Sequence, residues 1–392
     1  MTHAKNDSAI STALEQIIEN GFEGLDTAVS ILINEAMRIE RSRVLEAEPW
    51  QRTQTRKGYA NGYKPKIVKS RIGELALQIP QVRGPVQFYP NALEKGLRSE
   101  RALKLAMAEM YINGVSTRKV NEVLKELCGL EITSTQVSRA TGLLDDELEK
   151  WRNRPLGHTP FVLLDARYEK VRHGGSVVNC AVLIATGVSI DGQRSVLGVS
   201  VSLSEAEAHW RTFLSSLKDR GLHGVTMITS DDHQGLKAAL KSVFNGVSWN
   251  RCHVHLQRNA SAYVPKVAMR SAAARDIANI LSAPDRDEAR RLLDLAVEKY
   301  RSKAPRLSSW MEDNIPEGFT VFMLPYAMRR RLRTTNMIER LNREIKRRTR
   351  VASLFPNEAS LLRLVSAILM ETSEEWETSR KYLTLEYDQL PN

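Results

Sequence analysis

Cysteine is scarce in this 392-residue sequence: Cys128, Cys180 and Cys252 are widely separated and odd in number. That argues against a disulfide framework and for a reducing compartment. Long apolar runs are missing too. The longest, around Cys180 to Val188, is far too short to span a bilayer. The opening MTHAKNDSAI lacks the basic and apolar segments of a secretion signal, so a cytoplasmic protein without a membrane partner is expected. Internal repeats and low-complexity tracts are also absent. What remains is an ordinary globular composition, 42% hydrophobic and 26% charged, long enough for two or three domains with real cores.

What the chain has in excess is positive charge. Its formal net charge is +11 and its sequence pI is about 9.5. Such a balance points to a polyanionic partner, nucleic acid first and an anionic membrane surface second. The charge is concentrated in RRRLRTTNMIERLNREIKRRTR, Arg329 to Arg350, which holds ten Lys/Arg and two Glu. On a helix, Glu339, Asn342, Arg343, Lys346 and Arg350 fall near one face. A carboxylate among phosphate-seeking cations suits a metal-dependent phosphoryl-transfer site on nucleic acid. A solvated basic helix with ordinary ion pairs fits the segment equally. It lacks a strong apolar face opposite its charges, which counts against a membrane-surface helix.

Along the chain the character changes several times. Residues 1–50 read as helical, with Ile17, Ala28, Ile31, Leu32 and Ala36 apolar and Glu35, Arg38, Glu40 and Arg41 expected on a solvated face. Residues 51–98 form a small basic region. Leu75, Leu77 and Ile79 alternate with polar or small residues, and a Gly73-Glu74 turn suggests a β-hairpin, either touching phosphate or simply solvated. Residues 99–152 read as three helices. Ser116 is a candidate N-cap, Gly129 ends a helical stripe, and Thr133 with Gln136 makes a capping-box pattern. Ser134, Thr135, Gln136, Ser138 and Arg139 follow, where a helix-turn-helix protein presents its groove-reading side chains. A plain helical hairpin has the same pattern.

Pro155, Gly157 and Pro160 mark a boundary, after which strands begin. FVLLDARYEKV, VVNCAVLIATGV and SVLGVSVSL read as three strands, with an Asp191-Gly192 turn before the third. Ser204 and Glu207 suggest a capping box before a helix with Trp210, Phe213, Leu214 and Leu217 on its core side. GVTMITS is a strand ending at Asp231, a helix starts near His233, and VSWNRCHV is a short strand. The order β-β-β-α-β-α-β over residues 160–256 is that of a ribonuclease-H-like core, an α/β fold with a mixed five-stranded sheet flanked by helices. Residues 257–328 read as an all-helical insertion, and residues 329–392 complete the core with the Glu339 helix and C-terminal helices. Trp310, in the insertion, is expected in the core, with stacking on an unpaired base as the alternative.

Asp165 lies on the first strand of this core and Asp231 at the end of the fourth, which this fold places side by side; Glu339 arrives after the insertion. Clustered carboxylates repel one another unless a cation lies between them, so this grouping suggests divalent metal. Cys252 and His255 have the spacing of half a zinc site, but no second Cys/His pair accompanies them.

With GVSTRKV (114–120), LLDARYEKVR (163–172), TSDDHQGL (229–236), WNRCHVHLQRN (249–259) and RTTNMIERLNREIKRR (333–348), nearly the whole chain resembles the Mutator-type insertion-sequence transposases of bacteria. The resemblance implies a ribonuclease-H-like catalytic domain with a helical insertion, and Mg²⁺-dependent DNA transposition. It implies that Asp165, Asp231 and Glu339 form a DDE triad holding two Mg²⁺ ions, with Mn²⁺ able to substitute. His233, Cys252 and His255 would be auxiliary residues of the site. Asp232 stands where the family has a small residue; alternation along the strand directs it away from Asp231. The expected partner is double-stranded DNA, both terminal inverted repeats and target. The protein would bind it as a homodimer or larger assembly through Arg118, Lys119, Ser134, Thr135, Gln136, Ser138 and Arg139, and through Arg329, Arg330, Arg331, Arg333, Asn342, Arg343, Lys346, Arg347 and Arg350. A DNA-binding regulator without catalysis, and a nuclease that cuts without joining, are the rival readings.

Overall fold

The computed structural model describes residues 3–91, 93, 99–352 and 354–384. The chain divides into two compact units, Met1–Leu143 and Leu144–Asn392.

The first unit opens with helices α1 (His3–Asn20) and α2 (Leu25–Leu45) and a hairpin of β1 (Tyr59–Ser70) and β2 (Gly73–Arg83). Alternation places Leu75, Leu77 and Val68 on one hairpin face, where they pack on Met37 of α2. The hairpin's two-residue loop is Arg71-Ile72, because Ser70 pairs with Gly73; the expected Gly73-Glu74 turn is thus displaced, and Gly73 opens the second strand. Arg41 departs from its expected solvated position. It is 5% exposed, and its guanidinium donates to the Gly62 carbonyl and the Tyr63 hydroxyl. A buried guanidinium is tolerable when its donors are satisfied in this way.

Helices α3 (Arg101–Ile112), α4 (Thr117–Cys128) and α5 (Ser134–Thr141) complete the unit around Leu103, Met107, Val120, Leu124, Leu130 and Val137. Their ends follow the sequence signals. Ser116 Oγ accepts from the Lys119 N–H at 3.2 Å. Gly129 takes the left-handed conformation (φ 63°) that closes α4. Thr133 and Gln136 exchange both bonds of a capping box.

The second unit begins with α6 (Asp145–Arg152), whose Asp145 forms a bidentate pair with Arg363, Nε–Oδ1 at 2.6 Å and Nη2–Oδ2 at 2.7 Å. This helix was grouped with the preceding helices on sequence grounds; its partner is 218 residues away and carries no local signal. Next come β3 (Phe161–His173), β4 (Ser176–Val188) and β5 (Arg194–Ser202), α7 (Glu207–Asp219), β6 (Met227–Ser230), α8 (Gln234–Val243) and β7 (Ser248–Arg251). The five strands form one mixed sheet in the order β5-β4-β3-β6-β7, with β3 antiparallel to β4 and parallel to β6. Trp210, Phe213, Leu214 and Leu217 of α7 pack on one face with Leu236, Ala239 and Leu240 of α8. The expected Ser204–Glu207 box does not form. The N-cap of α7 is Ala206, while Ser204 Oγ bonds locally with the Ala206 N–H and His209. Gly192 holds φ 79° in the β4–β5 turn, and a Cβ there would meet the Leu383 carbonyl oxygen at 1.9 Å.

The segment after β7 is helical: α9 (His253–Ala260), α10 (Val267–Leu281), α11 (Arg286–Arg301) and α12 (Pro305–Asn314), sharing a separate apolar core. It leads to α13 (Tyr326–Leu332), α14 (Asn336–Ala352) and α15 (Glu358–Thr378), the last packed on β5. Among the described residues no helix is long and apolar enough to cross a membrane.

Trp310 is 8% exposed and stacks on Tyr263, ring centroids 5.4 Å apart. Trp310→Ala should therefore cost about 3–5 kcal/mol in urea denaturation of the full chain. An unchanged midpoint would remove Trp310 from the core.

Candidate catalytic site and nucleic-acid interface

The parallel pairing of β3 with β6 sets the site. Leu163 pairs with Thr229, and Asp165 and Asp231 each lie two residues further along. Side chains alternate along a strand, so equal offsets from one pair direct both carboxylates to the same side, Asp165 within the long β3 and Asp231 just past the carboxyl end of β6. Asp165 is 7% exposed. Its Oδ1 accepts from the Ala166 N–H at 2.9 Å, and its Oδ2 from Asn342 Nδ2 at 2.9 Å. Asn342 lies on α14, three residues and nearly one turn after Glu339.

Burial pushes the Asp165 carboxyl up to about 6. The nearby His255 opposes that shift, while Asp231 and Glu339 add to it by repulsion. The three acids therefore share one electrostatic environment. Glu339 is partly buried and pairs with Arg258 of α9 at 3.6 Å. Among the described residues, no three Asp, Glu, His or Cys side chains are gathered closely enough to cage a metal ion. The donor set still suits a hard cation: carboxylates whose repulsion a divalent ion relieves, beside a buried Asn342 Oδ1 with no hydrogen-bond partner among the described residues.

The adjacent aspartates face different neighbours. Asp232 pairs with Lys237 at 2.9 Å and with Arg251 at 3.1 Å. Glu317, in the segment after α12, meets the same two cations at 2.8 and 2.7 Å. Two cations and two anions thus alternate around a closed network, and Arg251 is only 3% exposed in its side chain. Asp231 remains on the Asp165 side.

Cys252 is occupied as a fastener. Its Sγ accepts from the Thr335 N–H at 3.3 Å and lies 3.4 Å from Thr335 Oγ1, and the Thr335 carbonyl accepts from the Glu339 N–H at 2.9 Å. The residue thereby anchors the start of α14. His255 is half-buried. The Cys252 side chain raises its pKa against the cost of burial, and Asp165 and Asp231 push the same way. His233 stands at the N-cap of α8, its ring 3.5 Å from Glu205.

The family profile described as "Transposase, Mutator family" matches residues 1–379. The chain belongs to the Mutator family of transposases. It is 54% identical over 376 residues to the transposase for insertion sequence element IS406 of Burkholderia multivorans, covering 95% of this chain and 97% of that one. It is 39% identical over 388 residues to the transposase for element ISRM5 of Rhizobium meliloti, covering 98% and 96%. Identity to the transposase for element IS256 in transposon Tn4001 of Staphylococcus aureus is 34% over 384 residues, covering 96% and 97%.

In this Mutator-family chain the basic residues divide into available and committed groups. On α14, Arg343, Lys346 and Arg350 are exposed and without ion pairs among the described residues, while Arg347 pairs with Glu344 at 2.7 Å. Asn342, expected on DNA, is instead bonded to Asp165. Arg329, expected on phosphate, donates to the carbonyls of Leu324, Pro284 and Phe322. Arg330 is exposed, Arg331 lies over the Tyr382 ring at 4.7 Å, and Arg333 donates to Ser282 Oγ at 3.2 Å. In the first unit Ser134, Thr135, Arg139 and Lys119 are exposed. Arg118 pairs with Glu122, Ser138 is half-buried, and the Gln136 side chain is held in the capping box. Sequence reasoning missed Arg258, Arg251 and Glu317, whose partners lie 19 to 81 residues away with no local pattern.

Arg251→Ala removes the buried member of a partly buried network, leaves Asp232 and Glu317 with Lys237 alone, and should cost about 3 kcal/mol in chemical denaturation. A loss under 1 kcal/mol would show the network to be dispensable. Burial pushes the His253 imidazole down to about 4, with the Gly318 carbonyl opposing the shift and Arg333 adding to it. The unfolded chain takes up this proton near 6.5 and the folded chain only near 4. Stability from the neutral ring is therefore complete above 6.5 and lost as pH falls toward 4. His253→Gln should flatten that loss, as measured by denaturation midpoints from pH 7 to 4; parallel curves would contradict it.

Proposed function

We propose that this chain is a DNA transposase of a bacterial insertion sequence, acting in the cytoplasm. Its second unit would be a ribonuclease-H-like catalytic domain with a helical insertion. The observation that carries this reading is the equal offset of Asp165 and Asp231 past the Leu163–Thr229 pair, with Glu339 brought into the same electrostatic environment by α14. Family membership and the strand order β5-β4-β3-β6-β7 support it.

Asp165, Asp231 and Glu339 would hold two Mg²⁺ ions, with Mn²⁺ able to substitute; for that, Asp165 gives up its Asn342 bond and Glu339 its Arg258 partner. When bound, such ions supply activation of the attacking oxygen and stabilisation of the leaving one. The Asn342 amide keeps Asp165 oriented before the substrate arrives. His255, whose proton affinity the neighbouring acids raise, presents positive charge toward the scissile phosphate. Arg343, Lys346 and Arg350 hold the DNA backbone, and Ser134, Thr135 and Arg139 read the terminal inverted repeats. Water attacks one phosphodiester at the element end and frees a 3′-OH. That hydroxyl then attacks a target phosphodiester, forming the new P–O bond as the target strand's own P–O3′ bond breaks and its 3′ oxygen leaves as a hydroxyl. Two ends must meet, so the working form is a homodimer or larger assembly.

The test is a labelled element end incubated in Mg²⁺ or Mn²⁺. The native chain should nick it and join pre-cleaved ends to a target duplex. Asp165→Asn, Asp231→Asn and Glu339→Gln should each lower nicking by about 10³-fold or more while end binding persists. Full activity in all three variants would leave a DNA-binding regulator. Nicking without joining would leave a nuclease on the same core.

A further inference from the structure

A second cleft in the catalytic unit is unused by the chemistry above. It has a volume of about 340 Å³ and lies between the end of α10 and α13, lined by Phe322, Tyr326, Arg329, Arg330 and Arg333 among others. That size is within the ~300–1,000 Å³ range of small-ligand pockets. Three of its lining residues are arginines and none is acidic. Among the described residues, none of the three arginines forms an ion pair. Arg329 donates only to carbonyl oxygens, which fixes the guanidinium without neutralising it. It backs two aromatic rings, lying 5.2 Å from the Phe322 centroid and 5.8 Å from that of Tyr326. Tyr326 is 72% exposed. A large ring held out into solvent over a fixed cation, beside the exposed Arg330 guanidinium, offers a flat π-face and a phosphate counter-charge together.

The cleft is tied to the candidate catalytic site. Thr229 Oγ1, two residues before Asp231, donates to the Leu332 carbonyl at 2.9 Å. The His253 N–H donates to the Arg333 carbonyl at 3.0 Å. The C-terminal end of α13 is thus fastened to the strand that carries Asp231 and to α9. Trp310, the other candidate for stacking, is buried on Tyr263 and has no free face to offer.

We propose that this cleft receives one unpaired nucleotide of the DNA at the element end, its base on the Tyr326 ring and its phosphate on Arg330 and Arg333. This rests on the transposase reading and adds to it a site that distinguishes paired from unpaired DNA. A base inside a duplex is already stacked on both faces; only an unpaired one can give a face to the tyrosine. Stacking of this kind tolerates any base, so the site would read pairing rather than sequence.

The experiment measures binding of the full chain, at one fixed salt concentration, to two labelled element ends identical except for an unpaired flank of a few nucleotides. The native protein should prefer the unpaired flank by about tenfold. Tyr326→Ala should bring that ratio close to one, whereas Tyr326→Phe, which keeps the ring, should preserve it. Arg330→Ala should lower the ratio and weaken the salt dependence of binding to the unpaired flank. A ratio of one in the native protein, or an unchanged ratio in Tyr326→Ala, overturns the proposal. Mg²⁺-dependent nicking by the same native preparation separates the two claims: nicking without a flank preference rejects the cleft alone, and failure to bind either end rejects both.

Discussion

Carboxylates that share a half-dry site repel one another even without touching, and in the second unit Asp165 meets this repulsion from Asp231 and Glu339. Parallel pairing of β3 with β6 forces Asp165 and Asp231 into neighbouring positions, and α14 adds Glu339. Asp165 answers the cost by holding a proton up to about pH 6 and by accepting two hydrogen bonds. Glu339 answers it with Arg258, and His255 supplies opposing charge. Each compensation is modest and local. A cation replaces them all at once, which is the physical reason to expect one there.

Several contacts hold the elements around the three acids in place. Cys252 and Thr335 fix the first turn of α14, and His253 is buried against Gly318 and Arg333. The alternating network of Asp232, Arg251, Glu317 and Lys237 joins the segment after α12 to the strand ends next to Asp231. The helical segment between β7 and α13 is thus both a separately cored element and a brace for the site. Positive charge is sorted by the same logic: arginines with carbonyl or carboxylate partners build the frame, and those on the outer face of α14 stay available to a polyanion.

Much of this was legible in the sequence because it depends on local rules. The succession of strands and helices along residues 160–256, the capping box at Thr133, the closing glycine at Gly129 and the apolar stripe of α7 follow from alternation, spacing and turn chemistry. The turning of Asp232 away from Asp165 was legible from strand alternation. What was not legible depends on partners far away in the chain. Nothing near Arg41 announces Tyr63, nothing near Arg329 announces the Pro284 carbonyl, and Asp145 meets Arg363 only once the fold exists. Asn342 stood on the face expected to meet DNA, yet one turn of helix was enough to turn its amide to Asp165. The Ser204–Glu207 pattern matched a capping box in composition, but the helix began at Glu207, too late for it.

The most direct measurement of the central claim is affinity cleavage by Fe²⁺ standing in for the native ion. With ascorbate and peroxide, iron at the site generates hydroxyl radicals that cut nearby backbone. Cuts should fall around residues 165, 231 and 339, and excess Mg²⁺ should suppress all three together. Cuts at only one of these segments, at unrelated ones, or unaffected by Mg²⁺ would contradict a shared metal site.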